Sequence, residues 1–409
     1  MKVLHTSDWH IGRALYGQNR YEEHEAFLNW LADAIQKHHI EVLLVSGDVF
    51  DSSTPSNRAQ ALYYRFLGRI ASGAGSCRHI VLIAGNHDSP TLLDAPKGLL
   101  EQLNVHVVGG PCDPIADEAI VLHDRDGAPE LIVCAVPFLR DRDLRAAEAG
   151  ESIDDKNRKL VAGLRNHYAT VTEAALNKKN ELGADLPIVA MGHLFTAGGQ
   201  TNDGVRELYV GSLAQVDASI FPSGLNYVAL GHLHTPQKVG GSDWIRYCGS
   251  PLALSFGEAG QQKTVCSVNL EAGSTTIHLL DVPTFQPLEQ IRGDWASIAR
   301  RLQELVRSQS HSWLEILYEG EEVIGDLRER IDQIVVGSTI KVLRIQNQRV
   351  VDRILAQASD EETLNDLSEI DVFRRCLDAQ SVPEEQHEEL IETYQEVLLS
   401  LQQADPQAE

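Results

Sequence analysis

Ile80-Val81-Leu82-Ile83-Ala84-Gly85-Asn86-His87-Asp88 runs from four bulky apolar side chains, through a glycine, into three side chains that can bind a metal or move a proton. A short apolar run that stops at glycine reads as a buried strand of an α/β sheet, and the polar residues after it then lie on the sheet's carboxyl edge. The pattern recurs. Val3-Leu4 leads to Ser7-Asp8-Trp9-His10, and Val42-Leu43-Leu44-Val45 to Gly47-Asp48-Val49-Phe50-Asp51. Ile188-Val189-Ala190-Met191 leads to Gly192-His193, and Tyr227-Val228-Ala229-Leu230 to Gly231-His232-Leu233-His234. Five such endings converging on one crevice would supply the ligands of two metal ions.

The residue types explain the chemistry. Asp and His two positions apart at a strand end can clasp one ion, and a carboxylate placed between two ions can bridge them. Imidazole, carboxylate and amide oxygen suit Mn²⁺, Fe²⁺, Zn²⁺ or Mg²⁺. The six cysteines, Cys77, Cys112, Cys134, Cys248, Cys266 and Cys376, lie far apart without C-x-x-C spacing. They read as reduced thiols rather than a zinc knuckle or a disulfide framework. Glycine beside each ligand removes a side chain where backbone, metal and substrate approach closely. Singly each piece is weak, because Asp-x-His arises by chance and Gly-Asp is a common turn. The ordered set, with Asn-His-Asp and His-x-His each following an apolar strand, is far more specific.

Helical stretches at about 20–38 and 56–72 separate the first three strands, and another follows Ser89-Pro90, where Ser can cap and Pro can occupy the first helical position. The opening is β-α-β-α-β. Leu131-Ile132-Val133 reads as a further strand, and a long helix is expected near 154–180. Residues 187–282 then read as strands linked by short turns, predicting a second sheet packed on the first with helices on the outer faces. Near Pro283 and Pro287 the pattern restarts as strand 288–291, helix 294–308, strand 313–318, helix 325–336 and strand 339–346, a small separate α/β domain. Two tail helices are expected at about 360–378 and 384–403. The second places Leu390, Ile391, Tyr394, Val397, Leu398 and Leu401 on one face, a stripe that needs a partner surface on this chain or another.

At 409 residues and 43% hydrophobic content the chain can fill two or three domains, which excludes a disordered protein. Its net charge of -24 lacks the basic footprint of a free-standing nucleic-acid binder. The acidity is concentrated at the end, where the last 59 residues hold 3 basic and 16 acidic side chains. The N-terminus turns polar after Val3-Leu4, and no apolar run approaches the roughly 18 residues that span a bilayer. A soluble cytoplasmic protein is expected. Thr196-Ala197-Gly198-Gly199-Gln200 reads as a connector, Arg140, Arg142 and Arg145 as solvated charge, and His38-His39 as a helix terminus.

The order Asp8-x-His10, Gly47-Asp48, Gly85-Asn86-His87-Asp88, Gly192-His193 and Gly231-His232-Leu233-His234 resembles the calcineurin-like metallophosphoesterases across roughly residues 1–250. The wider wording, His5-Thr6-Ser7-Asp8-Trp9-His10-Ile11-Gly12 and Gly47-Asp48-Val49-Phe50-Asp51-Ser52, is similar to the SbcD family of bacterial nuclease subunits, and the later domain and tail extend the likeness to nearly the whole chain. This resemblance implies a four-layer α/β/β/α sandwich over 1–284, a small α/β capping domain over 285–350 and an acidic helical docking segment over 351–409. It implies Asp8, His10 and His234 on one metal, Asn86, His193 and His232 on the other, and Asp48 bridging. His87 would face the scissile phosphate, with Asp88 orienting its ring. Asp51 follows the bacterial wording of its motif, and its role stays open.

The resemblance further implies two divalent ions, Mn²⁺ by preference, DNA ends and hairpins as substrate, an SbcC-type ATPase as partner and a homodimer of nuclease subunits. Two other classes compete. A small-molecule phosphodiesterase or phosphatase shares the motif but has no need of the extension beyond residue 285. A docking module with a vestigial site is opposed by the complete ligand set. Deleting residues 360–409 is expected to abolish co-purification with the ATPase while leaving metal-dependent diesterase activity, and co-purification that survives the deletion would refute the docking role.

Overall fold

Strands and helices alternate because runs apolar on both faces, such as Val42-Leu43-Leu44-Val45, alternate with one-sided stripes such as Phe27, Leu28, Leu31 and Ile35. The computed structural model describes residues 1–71, 75–146, 151–196, 217–271, 274–320, 322, 324–347 and the single positions 374, 387, 390, 391 and 394. The turn after Thr196 and the two tail helices expected from the sequence lie outside the described residues, those single tail positions apart. The chain forms two compact units, Met1–Phe285 and Gln286–Glu409.

The first unit opens with β1 (Lys2–Thr6), a small hairpin of β2 (Ala14–Leu15) and β3 (Gln18–Asn19), α1 (Tyr21–Lys37), β4 (Val42–Ser46) and α2 (Asn57–Ala71). Next come β5 (His79–Ile83), α3 (Pro90–Asp94), α4 (Lys97–Glu101), β6 (Val105–Val108), β7 (Ala119–His123), β8 (Pro129–Ala135) and α5 (Asp141–Leu144). It ends with α6 (Ile153–Leu182), β9 (Ile188–His193), β10 (Tyr227–Gly231), β11 (Gln237–Val239), β12 (Ser242–Tyr247), β13 (Thr264–Glu271) and β14 (Ser274–Asp281). Ser89 caps α3 by accepting the Leu92 N–H, with Pro90 in the first turn, as the sequence suggests. The left-handed Gly183 closes α6.

One six-stranded sheet has the order β14-β13-β1-β4-β5-β6, the other β11-β12-β10-β9-β8-β7. β1, β4, β5 and β6 are mutually parallel, as are β8, β9, β10 and β12. Here the structure departs from the sequence reading, which placed every strand of 187–282 in the second sheet. β13 and β14 instead return to the first, β13 pairing antiparallel with β1 and β14 with β13. A period of two reports which faces of a strand are buried, not which sheet buries them.

Alternate residues of each central strand serve two cores. Val3, Val42, Leu44, Val81 and Ile83 meet Val133, Val189, Met191 and Ala229 between the sheets. Leu4, Leu43, Val45, Ile80 and Leu82 pack on the other face with Phe27 and Leu31 of α1 and Phe66 of α2. Ile132, Ile188, Ala190 and Val228 pack with Leu164, Tyr168 and Val171 of α6. The carboxyl ends of β1, β4 and β5 therefore lie beside those of β9 and β10.

The second unit contains β15 (Leu288–Gly293), α7 (Trp295–Arg307), β16 (Trp313–Tyr318), α8 (Leu327–Val335) and β17 (Lys341–Asn347). Its three strands form a parallel sheet around Ile291, Ile298, Leu302, Leu314, Ile316 and Ile331. Asp294 caps α7 by accepting the Ser297 N–H at 2.9 Å. No helix among the described residues is long and apolar enough to cross a membrane.

Two imidazoles inside this fold are held neutral. Burial pushes His5 of β1, whose Nδ1 lies 2.9 Å from the Tyr227 hydroxyl, down to about 3. Burial, followed by the charge of Arg20, pushes His24 down to about 4. Unfolded, both titrate near 6.5, so their contribution is complete above pH 6.5 and falls by ~1.4 kcal/mol per histidine per pH unit as pH drops toward the folded values. With chelator present, the urea midpoint is expected to fall between pH 7 and pH 5, and His5→Gln to remove part of that decline. An unchanged midpoint would contradict this account.

Candidate metal centre

Asp8 and His10 are aimed by the residue between them. Trp9 is fully buried, edge-on to Phe27 and Phe66 with ring centroids 6.1 and 5.4 Å away, and its Nε1–H donates to Thr6 Oγ1 at 3.0 Å. With Trp9 anchored in the helix-side core, its two neighbours turn out of that core. The loop after β1 then runs beside the loop after β4, with Asp8 N–H donating to Gly47 O at 2.9 Å, His10 N–H to Asp48 O at 3.0 Å and Ile11 N–H to Val49 O at 2.9 Å. Asp8, His10, Asp48 and His232 all have positive φ, at 54°, 45°, 49° and 108°. Such conformations cost about 1–3 kcal/mol each for residues with a Cβ and collect at working sites.

The side chains form overlapping clusters. Ligand atoms of Asp8, His10 and His234 lie within 4.8 Å of one another, as do those of Asp8, Asp48 and His193, and those of His10, Asp48 and His87. Asn86 Oδ1 lies 3.0 Å from both His193 Nε2 and His232 Nδ1. Asp48 Oδ2 lies 3.3 Å from His193 Nε2 and 3.6 Å from His10 Nε2, which puts this carboxylate between the two groups. Asp8 accepts the His232 N–H at 3.0 Å and the Ser7 hydroxyl.

Electrostatics within the cluster are sharply divided. Burial opposes charge on His193, but Asp48 and then Asp8 outweigh it and push the imidazole up to about 9. Asp48 resists burial for the same reason and lies well below the usual carboxylate range. Burial, then the charge of His193, pushes His232 down to about 3. His10 Nε2 and His87 Nε2 are buried atoms without a hydrogen-bond partner. A set of nitrogen and oxygen donors with no thiolate, including unsatisfied imidazole nitrogens, fits hard or borderline divalent cations.

A supporting layer sets the histidine tautomers. Asp51 Oδ1 lies 3.1 Å from His10 Nδ1 and accepts from Arg13 at 3.0 Å, giving the residue left open by the sequence a contact. His193 Nδ1–H donates to Ser46 O at 2.9 Å, and hydrogen-bonded partners of this kind fix the ring and free its other nitrogen for a metal. Glu258 Oε1 lies 3.4 Å from His234 Nδ1, a charge contact without a hydrogen bond. Sequence reasoning missed Ser46, Arg13 and Glu258. Asp51 shares a motif with Asp48 and was within reach, whereas Glu258 is brought to His234 only by tertiary folding. The glycines act mainly on the protein itself: a Cβ at Gly85 would sit 2.2 Å from Asp48 Oδ1, and one at Gly231 would sit 1.9 Å from Ser46 O.

Residues 1–236 match the calcineurin-like phosphoesterase family, and residues 284–381 match the SbcD_C family, described as the type 5 capsule protein repressor C-terminal domain. The SbcD component of nuclease SbcCD from Escherichia coli (strain K12) is 36% identical over 394 residues, covering 95% of this chain and 96% of that protein. The chain belongs to the SbcD family of calcineurin-like phosphoesterases. The proteins of the same name from Rhodobacter capsulatus and Bacillus subtilis are 38% and 34% identical, covering 71% and 67% of this chain and the same shares of their own. Among solved structures, a β-glucosidase from Exiguobacterium marinum aligns with 84% of the chain and 88% of its own at 11% identity, with a TM-score of 0.21 that carries no argument.

One expectation for this SbcD-family chain changes. Asp88 does not hold the His87 ring. Its buried carboxylate accepts N–H bonds from Phe50 at 2.9 Å, Gly85 at 2.9 Å and Val49 at 3.1 Å, so it ties the loops after β4 and β5 together. The ring is held by the Asp51 carbonyl, 2.8 Å from His87 Nδ1, while the His87 N–H donates to Asp48 Oδ1 at 2.9 Å. The loop geometry leaves Asp88 beneath the backbone turn rather than beside the imidazole. His87 also falls in a cluster with His10 and Asp48, so proximity alone does not separate a ligand from a proton donor. Of the arginine cluster, Arg145 pairs with Asp141 and Glu151, and the exposed Arg142 lies 3.7 Å from Asp143.

Asp88→Ala would strand three backbone donors, each worth roughly 1–3 kcal/mol when buried and unpaired. Urea denaturation is expected to show a loss of about 3 kcal/mol or more. A loss below about 1 kcal/mol would mean that the carboxylate does not clamp these loops.

Proposed function

We propose that this chain is the nuclease subunit of a two-component DNA-processing assembly, hydrolysing phosphodiester bonds at duplex ends and hairpins with the help of two divalent cations. The observation that carries the reading is the crowding of Asp8, His10, His193, His232, His234 and Asn86 around the Asp48 carboxylate, beside a His87 Nε2 that has no partner. In this reading Asp8, His10 and His234 hold one ion, Asn86, His193 and His232 the other, and Asp48 bridges. We take the ions to be Mn²⁺. When bound, such a pair supplies Lewis acidity and neutralises charge on the phosphoryl oxygens.

The chain's own contribution is proton placement. His87 Nδ1–H is committed to the Asp51 carbonyl, so Nε2 is the atom able to deliver a proton to the departing oxygen. An alkoxide leaves a diester poorly, and protonation there lowers its cost. Asp88 acts at one remove by holding the loop on which His87 sits.

The same reading makes residues 1–284 a four-layer α/β/β/α sandwich, 285–350 a small α/β capping domain and 351–409 an acidic segment that docks an SbcC-type ATPase. The nuclease subunits pair as a homodimer in the cytoplasm. Support for the partner comes from relatives named as one component of SbcCD, and from a net charge of -24, which suits a protein that draws part of its DNA affinity from elsewhere.

The test is Mn²⁺-dependent cleavage of end-labelled duplex and hairpin DNA beside a chromogenic diester, with and without the ATPase. Wild type is expected to cut DNA, and His87→Ala to lose about 10²–10⁴-fold in turnover while still binding two ions. Loss of both ions together with turnover would make His87 a ligand. Hydrolysis of the small diester alone, even with the ATPase present, would replace this reading with a small-molecule phosphodiesterase.

A further inference from the structure

Behind His234 lies a buried ion pair that the metal cluster itself does not contain. Lys263 Nζ lies 2.5 Å from Glu258 Oε2, and both side chains are almost fully buried. A buried pair of this kind is no asset to stability by default, because the desolvation of two charges offsets their attraction. Its surroundings show what it holds. Lys263 Nζ also donates to the His234 carbonyl at 3.2 Å and to Ser250 Oγ at 3.1 Å, and the Ser250 N–H donates to that same carbonyl at 3.1 Å. Glu258 Oε2 accepts the Leu254 N–H at 3.1 Å, and its other oxygen faces His234 Nδ1 at 3.4 Å as a charge contact without a hydrogen bond. One end of the pair thus grips the backbone of His234 and the other backs its ring. Lys263 immediately precedes β13, in the first sheet, whereas His234 follows β10, in the second.

We infer that Glu258 and Lys263 are positioning residues for His234, forming a latch across the two sheets that aims His234 Nε2 and raises its donor strength for the ion shared with Asp8 and His10. The inference rests on the two-ion reading above and deepens it. His10 has a parallel arrangement in Asp51 and Arg13, but that pair is partly exposed. His193 is backed by a neutral carbonyl, and Asn86 carries no charge. The latch therefore acts on one ion of the two.

Mn²⁺ titrated into wild type, Glu258→Gln, Lys263→Met and the double variant, followed by calorimetry and by the electron paramagnetic resonance of free Mn²⁺, tests this. Wild type is expected to bind two ions, and each single variant to weaken one of them by about 10–100-fold with the other unchanged. Each single variant also buries an uncompensated group and should melt lower. The double variant, with no charge left buried, should regain much of that melting temperature yet keep the weakened ion. A double variant that binds both ions as wild type does would reduce the pair to a structural element and overturn the latch. Wild type that fails to bind two ions would overturn the two-ion reading, and the latch with it.

Discussion

Packing seven polar side chains able to ligate a cation into one crevice is the constraint to which the rest of the first unit answers. Asp8, His10, Asp48, His193, His232 and His234 are all buried, and lone pairs crowded together out of water repel one another unless a cation joins them. The fold imposes the arrangement through rigid strands whose ends are braced against each other. Backbone at Asp8, His10, Asp48 and His232 is held left-handed, and the two apolar cores on either side of each sheet keep it there. Stability gathered in Val, Ile and Leu is thus spent at one edge.

Much of this was legible in the sequence, for a physical reason. A ligand one to three residues past an apolar run is positioned by its own strand, so local spacing reports on it, and all seven expected ligating residues do converge. Among the described residues the longer helices were legible from their stripes, and one short helix from its Ser89 cap and proline. What escaped was anything fixed by pairing at a distance. Nothing in Thr264–Glu271 reveals that it pairs with β1 as well as with β14, the next strand. Nothing beside Glu258 or Lys263 marks them as partners of His234, which lies far earlier in the chain. Asp88's role was carried over from the family resemblance, whereas here its carboxylate lies under the backbone turn and accepts three N–H groups.

The strand order and the buried ion pair are linked. Returning β13 to the first sheet is what carries Lys263 across to His234, so an unexpected strand order and an unexpected ion pair are one feature seen at two scales. The site is likewise shared: Asp8, His10, Asp48 and Asn86 follow strands of one sheet, while His193, His232 and His234 belong to the other. Mutual alignment of the sheets, stitched between β1 and β10 by His5 and Tyr227, is therefore a condition of the chemistry rather than a background to it.

The hydrogen bond from His232 N–H to Asp8 joins residues 224 positions apart in the chain. During synthesis, the first residues of the crevice emerge long before the last. Until β10 has been made and has docked, the early strands carry half a set of ligands facing solvent. On the proposed two-ion reading, hydrolytic competence waits for β10, and a chain that stops before it lacks part of the crevice. A centre divided between the two ends of a domain ties assembly of the crevice to completion of the fold.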